Sequence, residues 1–398
     1  MSLLLSLLIV AAAGDAPIES RYAGAVPIYR CDFEESSDDD FDGWPQNWQR
    51  RRGPGYPHFL ELEIAREASP QGDFSFRLAL NGGAAAASSP PQPYDSGSEY
   101  VAEALIKTTD LAHDEAYLAL RFLDEKKQPI QTEIGPRFRG NRDWAKVRIG
   151  PAFCDDPAVR FVDVEIHVGP MAGAEADLRG AASFDDVWIG KLPRKNVRGG
   201  RPFNIFPLGE PVELTLTLTG LQEPTVRARL QLYDRDGKQR TDEEQSSYFD
   251  PRRPNDPRSF TWKPDLREPG YYQGVVSVFG KQGLIQEDAT SLVITAPLAA
   301  LRDPETNTGT EFGWSILHPE YVPHDDHLHQ LLHESGVRRL KYPVWFNPKD
   351  AGAGTKLKKF IERLNVQGIG VIGTLSPQHV ASEAGVPVDD VSAAQVFR

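Results

Sequence analysis

The chain has 398 residues, 40% of them apolar and 25% charged, with a net charge of −13. At about 150 residues per domain, this length predicts two or three globular domains. The acidic balance excludes a nucleic-acid binder, which needs a basic face to neutralise phosphate, and an anionic membrane surface as partner. The two cysteines exclude a disulfide scaffold and a Cys-rich zinc module.

Leu3–Ala13 is an apolar run ending in small residues before Gly14. It is shorter than the roughly 20 residues a membrane-spanning helix needs and fits a signal-peptide core, although no Lys or Arg precedes it. Residues 1–14 are therefore expected to direct export, to the periplasm, the cell surface or the medium. No other segment is long and apolar enough to span a bilayer. In an oxidising compartment Cys31 and Cys154 could pair, or they could be two buried thiols.

From residue 26 to 192 the pattern is one of short alternating runs broken by Gly, Pro and Asp. The runs are Ser98–Ile106, Ala116–Leu123, Ala145–Ile149, Val159–Val168 and Ala182–Ile189. Such alternation reads as half-buried strands, and a stretch of this length as a β-sandwich of the jelly-roll kind. Pro193–Pro202 reads as a basic, Pro- and Gly-containing linker. Strands return over 203–297, at Val212–Leu218, Val226–Tyr233, Gly270–Val278 and Ser291–Thr295, with Asp236-Gly237 as a turn. This second stretch suggests an immunoglobulin-like sandwich.

After Pro297 the pattern changes. Phe312–Leu317, Val337–Val344 and Gly368–Leu375 read as strands. Between them, Leu328, Leu331 and Leu332 mark one helix ended by Gly336, and Leu357, Phe360, Ile361 and Leu364 mark a second, capped by Thr355. Asp389 or Asp390 can cap a third. The order β-α-β-α-β implies parallel strands with crossover helices. A closed (β/α)8 barrel takes about 250 residues, so 309–398 are expected to be its first three βα units, truncated. The expected fold class is thus multidomain: a jelly-roll β-sandwich, an Ig-like β-sandwich and a partial α/β barrel.

Four segments of the first domain carry a resemblance: Asp32-Phe33-Glu34 with Asp42-Gly43-Trp44-Pro45-Gln46-Asn47-Trp48, Gly72–Leu78, Asp143–Val147, and Ser183–Ile189. In this order they resemble the CenC-type carbohydrate-binding modules. The resemblance implies a jelly roll, a polysaccharide or glycan as partner, and a structural calcium held by Asp32, Glu34 and Asp185. Strand alternation separately places Asp185 on the face of Val187 and Ile189, where a buried carboxylate needs a cation or donors; the alternative is a surface Asp beside an acidic loop. Sugar binding calls for aromatic platforms with a few polar groups. Tyr56 and Tyr94, in Pro/Gly-rich loops, are the candidates; the other aromatics, Tyr117 among them, are expected mostly in the core.

The last segment resembles the start of a glycoside hydrolase barrel of the clan with two catalytic glutamates, through Phe312–Ser315, Gly336–Lys341 and Gly368–Leu375. Lys341 stands where that family more often has Arg. The resemblance implies glutamates after the fourth and seventh strands, beyond Arg398, so no catalytic residue is assigned. His318, Tyr321, His324, Trp345, Phe346, Asn347, Gln378 and His379 follow the three strands and would line the cleft of a complete barrel. Together these features suggest the N-terminal fragment of an exported modular glycoside hydrolase, inactive by itself and needing no organic cofactor. The alternative is a non-catalytic exported carbohydrate-binding or adhesion protein. A third reading, zinc on His329 and His333 at i, i+4 spacing, is weakened because both project away from the Leu328/Leu331/Leu332 stripe, towards solvent.

Overall fold

The computed structural model describes residues 22–374 apart from 23, 35–36, 39–41, 175–178, 222, 249, 251, 282, 297–312, 317–324 and 345–350. The leader Leu3–Ala13 and the Asp389/Asp390 cap lie outside these residues. The described chain is mostly β, in curled sheets.

The first unit holds β1 (Val26–Cys31), β2 (Gln49–Arg50), β3 (Leu62–Ala65), β4 (Ser75–Asn81), β5 (Ala85–Ser88), β6 (Gln92–Pro93), β7 (Ser98–Leu123), β8 (Pro129–Ile134), β9 (Phe138–Ala152), β10 (Phe161–Pro170) and β11 (Arg179–Gly199). The runs Ser98–Ile106 and Ala116–Leu123 are one strand, β7, which serves two sheet surfaces. Its first half pairs with β11 and β9; its second half pairs with β10 and β8. The bend between the halves falls at Asp110, whose φ of 54° is left-handed, a conformation that Asp tolerates better than most residues. β4 and β3 extend the first surface beyond β11, and β5 and β2 extend the second beyond β10. Between them lies a core of Phe33, Phe76, Leu118, Phe122, Val164, Ile166 and Phe184, all fully buried.

Pro193–Gly199 is not a linker. It continues β11, which pairs with β1 as far as Lys191 and then, from Arg194, with β13 (Leu214–Thr219) of the second unit. Pro193 falls in the gap between these two partners. The second unit adds β12 (Ile205–Pro207), β14 (Thr225–Asp234), β15 (Gln239–Tyr248), β16 (Arg258–Trp262), β17 (Gly270–Gly280) and β18 (Gly283–Thr295). β16 pairs with β13, while β12, β18, β17, β14 and β15 form the facing sheet. The two units share a core, because Val101, Trp188 and Leu192 of the first pack with Phe206, Leu214, Leu230 and Trp262 of the second. A buried hydrogen bond from Gln286 Nε2 to Glu99 Oε2, 3.0 Å, crosses the same junction.

The last unit has β19 (Gly313–Ser315), α1 (Asp325–Glu334), β20 (Arg339–Pro343), α2 (Ala351–Val366) and β21 (Gly370–Thr374). Its strands are parallel in the order β19-β20-β21. Gly336, at φ 72°, ends α1 as expected, and Val337 N donates to Leu332 O. α2 begins four residues before Thr355, which lies inside the helix instead of capping it. Leu328, Leu332, Leu340, Tyr342, Phe360 and Leu364 fill the space between helices and sheet. These strands and helices do not by themselves make a barrel.

Candidate functional site

Alternation sorts the two central strands of the second surface into two faces. Along β10, Val162, Val164, Ile166 and Val168 enter the core, so Asp163, Glu165 and His167 point to the other side. Along β7, Ala116, Leu118, Leu120 and Phe122 point inward, so Glu115, Tyr117, Ala119 and Arg121 point outward. Registers Asp163↔Arg121, Glu165↔Ala119 and His167↔Tyr117 then bring these outward residues side by side.

The outward face is organised throughout. Arg121 makes a bidentate pair with Asp163 at 2.7 and 2.8 Å and reaches Glu165 at 2.5 Å. Arg51, delivered by the segment after β2, meets the other Glu165 oxygen at 3.1 Å. Burial pushes the Asp163 and Glu165 carboxyls up, against the pull of Arg121. Next to them the Tyr117 and His167 rings stack at 4.5 Å, and Tyr56 meets His167 edge-on with its hydroxyl 3.0 Å from Nε2. Burial, then Arg51 and Arg137, lower His167 to about 4, so the imidazole is neutral at ordinary pH. Burial holds Tyr117 up at about 12, a protonated hydroxyl. A Cβ at Gly169 would lie 2.8 Å from the His167 ring and force it to shift.

Beyond Tyr117, Glu115 takes both Arg137 and Arg139, and the Arg137 guanidinium sits 5.1 Å from the Tyr117 ring centre. The result is a continuous surface of rings and hydrogen-bonding groups, built mainly on two adjacent strands. With His167 and Arg137 against the Tyr117 ring and Arg51 over the Tyr56 ring, the surface offers ring edges beside donors and acceptors whose directions are already fixed.

No family model matches the chain, and no curated protein matches it. Among solved structures, it is similar to the CBM22-1 xylan-binding domain of Paenibacillus barcinonensis Xyn10C at TM-score 0.29 and 12% identity, over 42% of this chain and 96% of that one. A Bacteroides uniformis beta-glucuronidase matches at TM-score 0.27 and 11% identity, over 73% of this chain and 35% of that one. The enzymatically active domain of bacteriophage CBA120 tailspike protein 4 matches at 0.28 and 15%, over 37% of this chain and 20% of that one. Likenesses this weak decide nothing about the chain, whose function has to be read from its own residues.

Of the residues the sequence singles out for sugar, Tyr56 lies on this face. Tyr94 does not present a platform: its ring stacks on Tyr100 at 5.3 Å and meets Phe122 edge-on, and its hydroxyl donates to Cys154 O at 2.7 Å. His318, Tyr321, His324, Trp345, Phe346, Asn347, Gln378 and His379 lie outside the described residues. Sequence reasoning missed Arg51, Glu115, Tyr117, Arg121, Arg137, Arg139, Asp163, Glu165 and His167. The signal was present in the polar half of the alternation in β7 and β10.

Each of the expected calcium ligands is engaged by protein donors. Asp32 Oδ1 accepts from Ser37 Oγ at 3.0 Å, Glu34 Oε1 from Phe74 N at 3.2 Å, and Asp185 from Ser69 Oγ and from Asp186 N at 2.6 Å. Among the described residues no three His, Cys, Asp or Glu side chains come together as a metal-holding group. As placed, these side chains do not fit an ion that takes six to eight oxygens. Asp185 is buried, but it does not share the face of Val187. A bulge at Asp185–Asp186, with Asp186 at φ 44°, lets Phe184 and Val187 both face the core. Among the described residues no metal-holding group includes His329 or His333. Both are half-buried and not on a solvated face; His329 lines a cavity with Lys359, Arg363 and Val366 of α2. Cys31 and Cys154 are buried free thiols.

Burial, joined by the charges of Asp186 and Glu34, raises the Asp185 carboxyl from 3.8 to about 6. The folded state therefore takes up the proton more readily than the unfolded one. This group favours folding below about pH 4, and that advantage is lost as pH rises through 6. Asp185→Asn is expected to raise stability at pH 7.5 by roughly 2–3 kcal/mol and to change little at pH 4, read by urea melts at both pH values. A calcium-dependent loss of stability in the variant would instead restore the metal reading.

Proposed function

We propose that the first unit is a carbohydrate-binding module and that the outward face of β7 and β10 holds the glycan. The observation that carries this is the stacked Tyr117–His167 pair flanked by Arg51, Tyr56 and Arg121. A sugar ring offers an apolar C–H face and a fringe of hydroxyls that each donate and accept. Ring edges bordered by anchored guanidinium, carboxylate and phenol groups offer contacts to both. His167 is neutral at ordinary pH and each carboxylate of the face is paired with arginine, which fixes the hydrogen-bonding groups in place. Binding is the reading for this face.

The placement outside the cytoplasm rests on Leu3–Ala13. The assignment of the last unit to a glycoside hydrolase barrel rests on its consecutive parallel strands with helical crossovers, which suit the first βα units of such a barrel.

The test is affinity electrophoresis of the full chain through gels cast with a panel of polysaccharides. Retardation is expected on at least one, and Tyr117→Ala or Tyr56→Ala should weaken it about tenfold or more. Unretarded migration through the whole panel, or undiminished retardation in both variants with unchanged melting, refutes the site.

A further inference from the structure

The charges of this face are sorted by depth. Four guanidinium groups (Arg51, Arg121, Arg137, Arg139) meet three carboxylates (Glu115, Asp163, Glu165). The carboxylate side chains are 3–6% exposed, whereas Arg51, Arg137 and Arg139 are 48%, 45% and 58% exposed. The negative groups lie beneath and the positive ones reach solvent. A chain of net charge −13 thus presents a local cationic surface beside its ring platform.

The exposed guanidiniums are also held in place. Glu115 alone fixes both Arg137 and Arg139: Nε and Nη2 of Arg139 converge on one of its oxygens at 3.2 and 2.8 Å, and Arg137 takes the other. Each guanidinium has five N–H donors in a fixed fork, so donors remain for a second acceptor. Arg137 also lies over the Tyr117 ring, whose plane His167 stacks against, so the guanidinium is fixed by ring and carboxylate together. Arginines placed only for solubility would need neither the buried carboxylate nor the ring.

The geometry points to a glycan bearing carboxylates, that is, one containing uronic acids, with its acid group on Arg137 and Arg139 and the sugar beside the ring edges of Tyr117 and His167. This rests on the glycan-binding reading above and narrows it. The overall charge of −13 repels a dense polyanion at long range, so the ligand is a chain with uronic acids at intervals, not one charged at every sugar.

The experiment compares glucuronoxylan, xanthan and gum arabic, each intact and after reduction of its carboxyls to primary alcohols, by affinity electrophoresis and calorimetry on the full chain. Free sodium glucuronate and glucose are titrated in parallel by NMR. At least one intact polysaccharide is expected to bind about tenfold or more tightly than its reduced form, the worth of one charge-assisted hydrogen bond. Arg139→Gln should remove that preference with at most a small drop in melting temperature, because Glu115 keeps Arg137. Equal binding of intact and reduced forms, or a preference surviving in both Arg139→Gln and Arg137→Gln, overturns the inference and leaves glycan binding standing. No response to any polysaccharide, nor to glucuronate, overturns both.

Discussion

Arg121→Leu is expected to cost about 3–5 kcal/mol of stability at neutral pH, because it strands Asp163 without a partner in a buried position. Asp163 makes both of its ion-pair contacts with Arg121 and its side chain is only 3% exposed, whereas Glu165 keeps Arg51. The penalty should shrink at pH 5, where the stranded carboxyl takes up a proton that burial already favours. The double variant Arg121→Leu/Asp163→Leu should recover most of the loss, since replacing both members of a buried pair by apolar groups is often close to neutral. Urea denaturation of the four members of this cycle at both pH values checks the argument. A single-variant loss under about 1 kcal/mol, typical of exposed pairs, would mean that water screens the pair and that the face is not preorganised. Glycan binding should be lost in the double variant even though its fold is restored, which separates the role in the site from the role in stability.

The second large effect concerns Trp188. Its side chain is 1% exposed and belongs to the core shared by the two sandwiches. A Cβ added at Gly190 would lie 2.2 Å from its ring, so the residue is packed against backbone on its own strand as well. Trp188→Ala should cost about 3–5 kcal/mol. It should also change the form of unfolding. The native chain is expected to melt its two sandwiches together in one calorimetric transition, and the variant to melt them in two, because the contacts that couple them are gone. Two transitions in the native chain would show that the shared core does not couple the units.

Much of the fold was legible in the sequence because its strands are amphipathic. Val162, Val164, Ile166 and Val168 announce β10 and its inward face, and Leu214, Leu216 and Leu218 do the same for β13. The breaks were less legible. Ser98–Ile106 and Ala116–Leu123 read as two separate runs, yet the backbone runs on between them through a left-handed Asp110. Pro193–Pro202 has linker composition, yet Pro193 is tolerated in a strand because it falls where one neighbour ends and the next begins. At Asp185–Asp186 a single bulge reverses the face that alternation assigns.

The site was less legible than the fold. Tyr56 could be picked out from its loop, but Tyr117 sits among Ala116, Leu118 and Leu120 and reads as core. That Arg121, Glu165 and Asp163 belong together depends on the register of β7 against β10, which pairs residues about forty positions apart. Arg137 and Arg139 enter through the pairing of β9 with the same strand, and no local pattern marks them. Spacing in one strand reveals a face; only the neighbouring strands reveal what that face is made of.

β11 ends the first sandwich and opens the second without a break. Its backbone hydrogen bonds run to Ser98–Thr109 on one side and to Leu214–Thr219 on the other. If the first unit is anchored to an immobile polysaccharide and the chain is pulled beyond Thr295, tension passes along this strand. The ladder of β11 with β7 is then loaded along the strand, with many hydrogen bonds resisting at once instead of being peeled open one at a time. The junction that composition marks as the weakest link is thus built to bear mechanical load.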